Sequence, residues 1–366
     1  MIELTCKYNS AKIFTDELDQ ESISQIINIC NQEHTSGSKI RIMPDVHAGK
    51  GCVIGYTATY EDKVCPNLVG VDIACGMLVT EFSPRKTKKP DFQVLDNTIR
   101  KYIPHGQNVR SDVYTKAEYF EELLKELKCY DKIDTRRAMQ SIGSLGGGNH
   151  FIEVNESDGK YYLVIHSGSR NLGLQVATYY QKLAKETHPE LPFETAYVSD
   201  AVLNDYIHDV AIITEYAKLN RKTMCDIICS EMKFEIHDQF ETLHNYIDIE
   251  NKIIRKGSVS AQEGERFIVP INMKDGSLIC VGKGNPDWNF SAPHGAGRKY
   301  SRSEAKEMIF VNQFMKDMEV IWTSCVSKNT LDEAPGAYKS IDSIIDNIND
   351  TADVIDIIKP VYNFKG

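Results

Sequence analysis

Apolar and polar positions repeat along this chain with two periods, one helical and one strand-like, and the changes of period divide it. Residues 1–42 carry short apolar runs between polar turns. One stretch among them, Glu21 to Gln32, repeats Ile23, Ile26, Ile27 and Cys30 at helical spacing. From Ile40 to Thr59 a strand runs into a loop holding Asp45, His47 and Lys50, and a second strand follows. Leu68 to Thr80 is a strand-like run interrupted by Asp72 and Cys75, and Lys116 to Tyr130 reads as an amphipathic helix. Ser141 to Gly173 holds two apolar β-type runs, each meeting a glycine-rich turn at a histidine. Leu174 to Thr187 and Ser199 to about Ile249 read as long helices joined by the H-P-E-L-P-F turn. Residues 251–290 return to short strands, and 340–358 reads as an Asp/Ile-rich helix. The pattern predicts an α+β fold in one domain, 1–366. Mixed or antiparallel sheets would frame a cleft, and the helical part, about 174–250, would pack outside it or form a sub-lobe.

Charge and cysteines narrow the setting. The net charge is −10, so bulk positive charge is not how this chain holds a nucleic acid; any such groove is a local one. The basic, proline-broken stretch Ser83–Arg110 is a candidate anionic-ligand surface or a solvated linker. Ten cysteines are scattered without a C-x-x-C pair or a leading apolar segment, which predicts a reducing, cytoplasmic setting. Cys225 and Cys229, one helical turn apart, read as packing.

The candidate chemistry gathers in a few places. Gly146, Gly147 and Gly148 remove three side chains in a row, so backbone N–H groups can approach an anion, with the Asn149 amide beside them. His150 and His166 could face one cleft from neighbouring strands, and Ser167, Ser169 and Arg170 add donors for a phosphate. A carboxylate at Asp72 and a thiolate at Cys75, both inside an apolar run, need a shared cation. His237 and His244 lie seven apart, on one face of the predicted helix. His294 sits among small residues with Arg298, Lys299 and Arg302 close behind, placed to meet a phosphate.

Eight blocks then occur in order: M-P-D-V-H-A-G-K-G, V-G-V-D-I-A-C-G-M, L-G-G-G-N-H-F-I-E, H-S-G-S-R, H-N-Y, H-G-A-G-R, D-E-A-P-G-A-Y-K and a terminal lysine. From about Ile40 to Gly366 the chain resembles the RtcB family of RNA ligases. The resemblance implies a GTP- and manganese-dependent enzyme. Its substrate would be RNA with a 3′-phosphate or 2′,3′-cyclic phosphate, joined to a 5′-hydroxyl end in RNA repair or tRNA splicing, with an activating protein as a possible partner. It implies Asp72, Cys75, His150, His166 and His244 as ligands of two Mn²⁺ ions, with Cys75 bridging. His294 would be the nucleophile that takes GMP, and Asp45 would orient its imidazole. It places Asn149 near the α-phosphate, Phe151, Glu153 and Lys365 at the guanine, Tyr338 stacked on the base, and Gly295, Ala296 and Gly297 around the ribose. Arg170 and Arg298 are the candidates for RNA phosphates. One departure matters: the family's P-G-S-M-G segment is here Pro270-Ile271-Asn272-Met273-Lys274-Asp275-Gly276, which puts the serine contacts to guanine in question. A metallo-phosphohydrolase and a non-catalytic RNA-binding module are the alternatives; guanylylation separates the ligase from both.

Overall fold

The computed structural model describes all 366 residues. Its strands, in chain order, include β1 (Ile2–Thr5), β2 (Ser10–Ile13), β3 (Ile40–His47), β4 (Ile54–Thr59), β5 (Gly76–Pro84), β6 (Phe151–Ser157) and β7 (Lys160–Ser167). They continue with β8 (Phe234–Leu243), β9 (Asn245–Asp248), β10 (Ile253–Lys256), β11 (Arg266–Asn272), β12 (Gly276–Gly282) and β13 (Ala352–Lys365). The main helices are α1 (Gln20–Cys30), α2 (Phe92–Tyr102), α3 (Arg170–Thr187), α4 (Asp200–Met232) and α5 (Ile341–Ile348). One sheet has the order β1-β2-β3-β4-β10-β9. A larger one runs β8-β5-β7-β6-β13-β12-β11, with the short strand Trp322–Thr323 parallel to β13. The α+β expectation holds. No helix is long and apolar enough to cross a membrane.

The two faces of the large sheet explain its position. Side chains alternate along a strand, so Ile152 and Val154 of β6, Leu163 and Ile165 of β7, and Tyr362 and Phe364 of β13 share one face. That face packs against Leu95 and Ile99 of α2 and Met224, Cys225, Ile228 and Cys229 of α4. Cys225 and Cys229 are therefore core residues, as their spacing suggested. The opposite face presents Met77, Phe151, Glu153, His166, Asn363 and Lys365, which floor a cleft. The β6–β7 hairpin is tight because Asp158 and Gly159 both adopt positive φ, the conformation a two-residue connection requires.

Several elements differ from the sequence reading, among them Leu68–Thr80, which is strand only from Gly76. The helix expected from Ser199 to about Ile249 stops at Met232, capped by Lys233 in the left-handed region, and the chain returns as β8. His237 and His244 therefore share no helical face: His237 is exposed beside Ser83, and His244 follows the end of β8 at the cleft. Pairing of β8 with β5 covers a sheet edge that a continued helix would leave open. The helix expected over 340–358 covers only Ile341–Ile348; 352–365 is the long strand β13, fixed by pairing on both edges. Lys116–Tyr130 is a series of short turns around Phe120–Leu124. Asp45 and His47 end β3 rather than standing in the loop after it.

Candidate active site

The cleft, about 810 Å³, has a histidine-rich end and a cation-rich end. At the first, the turn before β5 places Asp72 and Cys75 against β7 and the residue before β6. The Cys75 sulfur lies 3.4 Å from His150 Nε2 and 3.3 Å from His166 Nε2, and all three side chains are buried. Each imidazole is oriented from behind: His150 Nδ1 meets the Leu145 carbonyl at 2.9 Å and His166 Nδ1 the Asn149 carbonyl at 3.1 Å. These bonds put the ring proton on Nδ1 and leave Nε2 as a bare lone pair facing the sulfur. Asp72 Oδ2 stands 3.1 Å from the same His150 Nε2, and Oδ1 accepts from the Ser169 N–H at 3.0 Å. Only glycine fits at Gly168, where a Cβ would fall 2.2 Å from Asp72 Oδ1. His244 completes the row, its ring 5.2 Å from His166 and 4.9 Å from His294, with a buried Nδ1 that has no partner.

The electrostatics of this end call for a cation. Burial pushes the Cys75 thiol well above its ordinary range, and neighbouring Asp72 adds to the shift. Burial drives His166 and His244 well below theirs, so both are neutral, the form that binds a metal. Desolvation opposes charge on Asp72; a positive charge at His150 Nε2, whether a second ring proton or a metal ion in its place, together with Arg170 favours it, and with the proton there the carboxyl is held down at about 2. A carboxylate, a sulfur and imidazole lone pairs converge without enough protons to reconcile them. Cys75, His150 and His166 have the geometry to hold a metal ion, and Asp72 and His244 stand beside them with the donor chemistry to join.

The helix α4 keeps this end in register. Asn220 accepts from the N–H groups of Gly143 and Ser144 and donates to the carbonyls of Ser144 and Gly168, tying the two glycine turns together. The buried guanidinium of Arg221 donates to the carbonyls of Ala74 and Ser167 and to Glu241. Nothing in the local sequence marks either residue, because both act on turns more than 50 positions away.

His294 stands between the two ends. Its Nδ1 is 2.7 Å from Asp45 Oδ2, which also accepts from the backbone N–H of His294 at 3.1 Å and of Gly295 at 3.2 Å. Asp45 is fully buried, so its carboxylate fixes both the backbone and the tautomer, leaving Nε2 open. Gly297, at φ 76, packs on the Asp45 carbonyl so closely that a Cβ would lie 2.5 Å from it. Gly295 and Ala296 line the cleft beside it. His47 also lines the cleft, its Nδ1 on the Asp45 carbonyl at 2.9 Å.

At the far end Glu153 is buried and accepts from Asn363 at 2.6 Å across the β6–β13 pair. Burial raises its carboxyl to about 7, against the pull of Asn155, Asn363 and Lys365. Lys365 lies over the Phe151 ring, and Asn149 is exposed at the cleft wall. Glu333, which the sequence reading passed over, is buried and gathers Lys365, Arg298, Arg302 and Tyr338. Three of its four donors, Arg298, Arg302 and Lys365, lie more than 30 residues away in the chain, so no local pattern announces it. Arg170 donates to Ser144 and Gly106 and lies against Gly146; Arg298 donates to the Asp332 carbonyl, Glu333 and Tyr338. In the basic stretch, Arg100 pairs with Asp96 and Arg110 with the carbonyls of Tyr102, Ile142 and Gly143. The Pro270–Gly276 segment is a hairpin turn in which the Asn272 side chain accepts from the N–H groups of Lys274 and Asp275.

The family described as tRNA-splicing ligase RtcB matches residues 25–131 and 125–366. The chain is 31% identical to the RNA-splicing ligase RtcB of Escherichia coli strain K12 over 415 residues, an alignment covering 99% of each chain. It is 25% identical to the tRNA-splicing ligase RtcB of Pyrobaculum aerophilum, covering 83% of this chain and 82% of the other, and 26% identical to RNA-splicing ligase RtcB2 of Escherichia coli ATCC 25922. With a match of this extent, the chain belongs to the RtcB family.

Proposed function

We propose that this chain is a GTP- and Mn²⁺-dependent RNA ligase that joins 3′-phosphate or 2′,3′-cyclic phosphate ends to 5′-hydroxyl ends through guanylylated His294. The observation that carries the reading is the His294–Asp45 pair, with Nε2 free beside the cluster of potential metal ligands. A divalent metal held by Cys75, His150 and His166, with Asp72 and His244, would supply charge neutralisation at the phosphates. His294 Nε2 offers its lone pair to the α-phosphorus of GTP; a P–N bond forms, the bond to pyrophosphate breaks, and the Asp45 carboxylate stabilises the positive charge left on the ring. An RNA 3′-phosphate oxygen then takes the GMP, restoring neutral His294. A 2′,3′-cyclic phosphate would first be opened by water, whose oxygen stays on phosphorus while a proton goes to the released 2′-oxygen, giving the 3′-phosphate. The 5′-hydroxyl oxygen then attacks the activated 3′-phosphorus, its proton passes to solvent, and GMP leaves with the bridging oxygen.

Glu153, when ionised, would accept from guanine N1–H and N2–H₂, and Lys365 would donate to O6, a combination that disfavours adenine. Tyr338 would offer its ring to the base, and Asn149 its amide to the α-phosphate. Arg298 and Arg170 are proposed to face RNA phosphates, which in an acidic chain confines the RNA to a local groove. The test is incubation with α-labelled GTP and Mn²⁺ followed by denaturation. Acid-labile label on the protein, absent from His294→Ala, is expected; no label on protein that holds metal would sink the proposal.

A further inference from the structure

Glu333 is the most heavily engaged carboxylate in the cleft. Oε1 accepts from Arg298 and, at 3.1 Å, from Arg302; Oε2 accepts from the Tyr338 hydroxyl at 2.7 Å and from Lys365 at 2.9 Å. A carboxylate has about four lone-pair sites, and here four donors fill them. It is also buried, and although burial opposes its charge, Lys365, Arg298 and Arg302 hold its carboxyl down at about 2. Glu333 therefore has nothing left to offer a ligand. What it does is fix the groups that have.

The Tyr338 hydroxyl donates to Glu333 and accepts from Arg298 at 3.1 Å, and the Arg298 guanidinium covers the ring at 4.9 Å from its centre. The hydroxyl is thus spent and Arg298 covers the ring, so what Tyr338 offers a planar ligand is the part of its half-buried ring that lines the cleft. Lys365 shares Oε2 with that hydroxyl, so its remaining two N–H donors sit at a fixed position relative to the ring. An ammonium has no acceptor, so the group a base on Tyr338 turns to Lys365 must be an acceptor: at C6 a 6-oxopurine presents O6, where a 6-aminopurine presents N–H donors. We infer that Glu333 is the positioning residue of the nucleotide end: by holding Tyr338 and Lys365 on one oxygen it sets the geometry that selects a 6-oxopurine triphosphate. The inference rests on the GTP reading above.

Glu333→Gln keeps the shape and removes the charge, and Tyr338→Phe keeps the ring and removes its tether. Labelling kinetics with GTP and ATP read both, alongside melting temperature. In each variant the KM for GTP is expected to rise about tenfold with kcat changed less than about threefold, and the GTP-to-ATP ratio of kcat/KM to fall about tenfold, with partial recovery in Glu333→Asp. A folded Glu333→Gln protein with the wild-type GTP-to-ATP ratio overturns the inference, as does a loss confined to kcat. If the wild type takes no label at all, the ligase reading fails separately. Equilibrium binding of GTP and ATP to wild type and Glu333→Gln then decides the positioning role by the same ratio.

Discussion

The two ends of the cleft are built on opposite principles. At the histidine end, donors face one another without partners: a thiol beside two bare imidazole nitrogens, a carboxylate against one of them, and a buried His244 nitrogen bonded to nothing. At the other end Glu333 has a donor for every lone pair. An unsatisfied cluster reports a missing ligand, because its cost has to be met by something bound. A saturated one reports a shape made before the ligand arrives.

The contrast can be broken most severely at His294. His294→Ala should lose all covalent nucleotide while holding as much metal as wild type, so label on that variant would remove the nucleophile. Cys75→Ala should abolish tight metal binding. A divalent ion at about 100 times its Kd adds about 2.7 kcal/mol of apparent stability to a protein that binds it. That gain, read in a melting curve, should vanish in the variant, and an undiminished gain would show that the thiol is no ligand. Asp45→Asn keeps the size but not the charge behind His294, and labelling should slow by about a thousandfold with GTP binding little changed; a rate within tenfold of wild type would deny the orienting role.

The far end should respond to pH. Glu153 has its carboxyl raised to about 7, so the ionised acceptor is the minor form at pH 6 and the major one at pH 8. The KM for GTP should fall about tenfold across that range and stay flat in Glu153→Gln. A group raised in the folded state holds its proton there, so its contribution to stability is full below the unfolded value and is lost as pH rises through about 7. The smallest effect is expected at the turn: Asn272→Ala loosens it and should move the KM for GTP less than about threefold. A larger change would make this segment a base contact.

Most of the histidine end was legible in the sequence because its residues sit inside local, glycine-marked blocks. The two apolar runs, each meeting a glycine-rich turn at a histidine, are β6 and β7, which pair and bring His150 and His166 to one cleft. What was not legible depends on distant partners. The run after Met232 is a strand because β5 offers it an edge, and 352–365 is a strand because β6 and β12 flank it. Glu333, Asn220 and Arg221 draw their importance from segments that only the fold brings near, so a single glutamate in D-E-A-P looks like any surface acid.

The position of β13 has a consequence for how the protein is made. Glu153 and Asn363 are neighbours in the sheet but 210 residues apart in the chain. The β6–β7 hairpin can close as soon as it leaves the ribosome, while the strand that covers the other edge of β6 is synthesised roughly 10–40 s later at ordinary elongation rates. Through that interval the edge carrying Phe151, Ile152 and Val154 is unpaired, the kind of edge that recruits strands from other chains. Nascent chains of this protein should therefore depend on chaperones at a defined stage, after the hairpin emerges and before β13 docks.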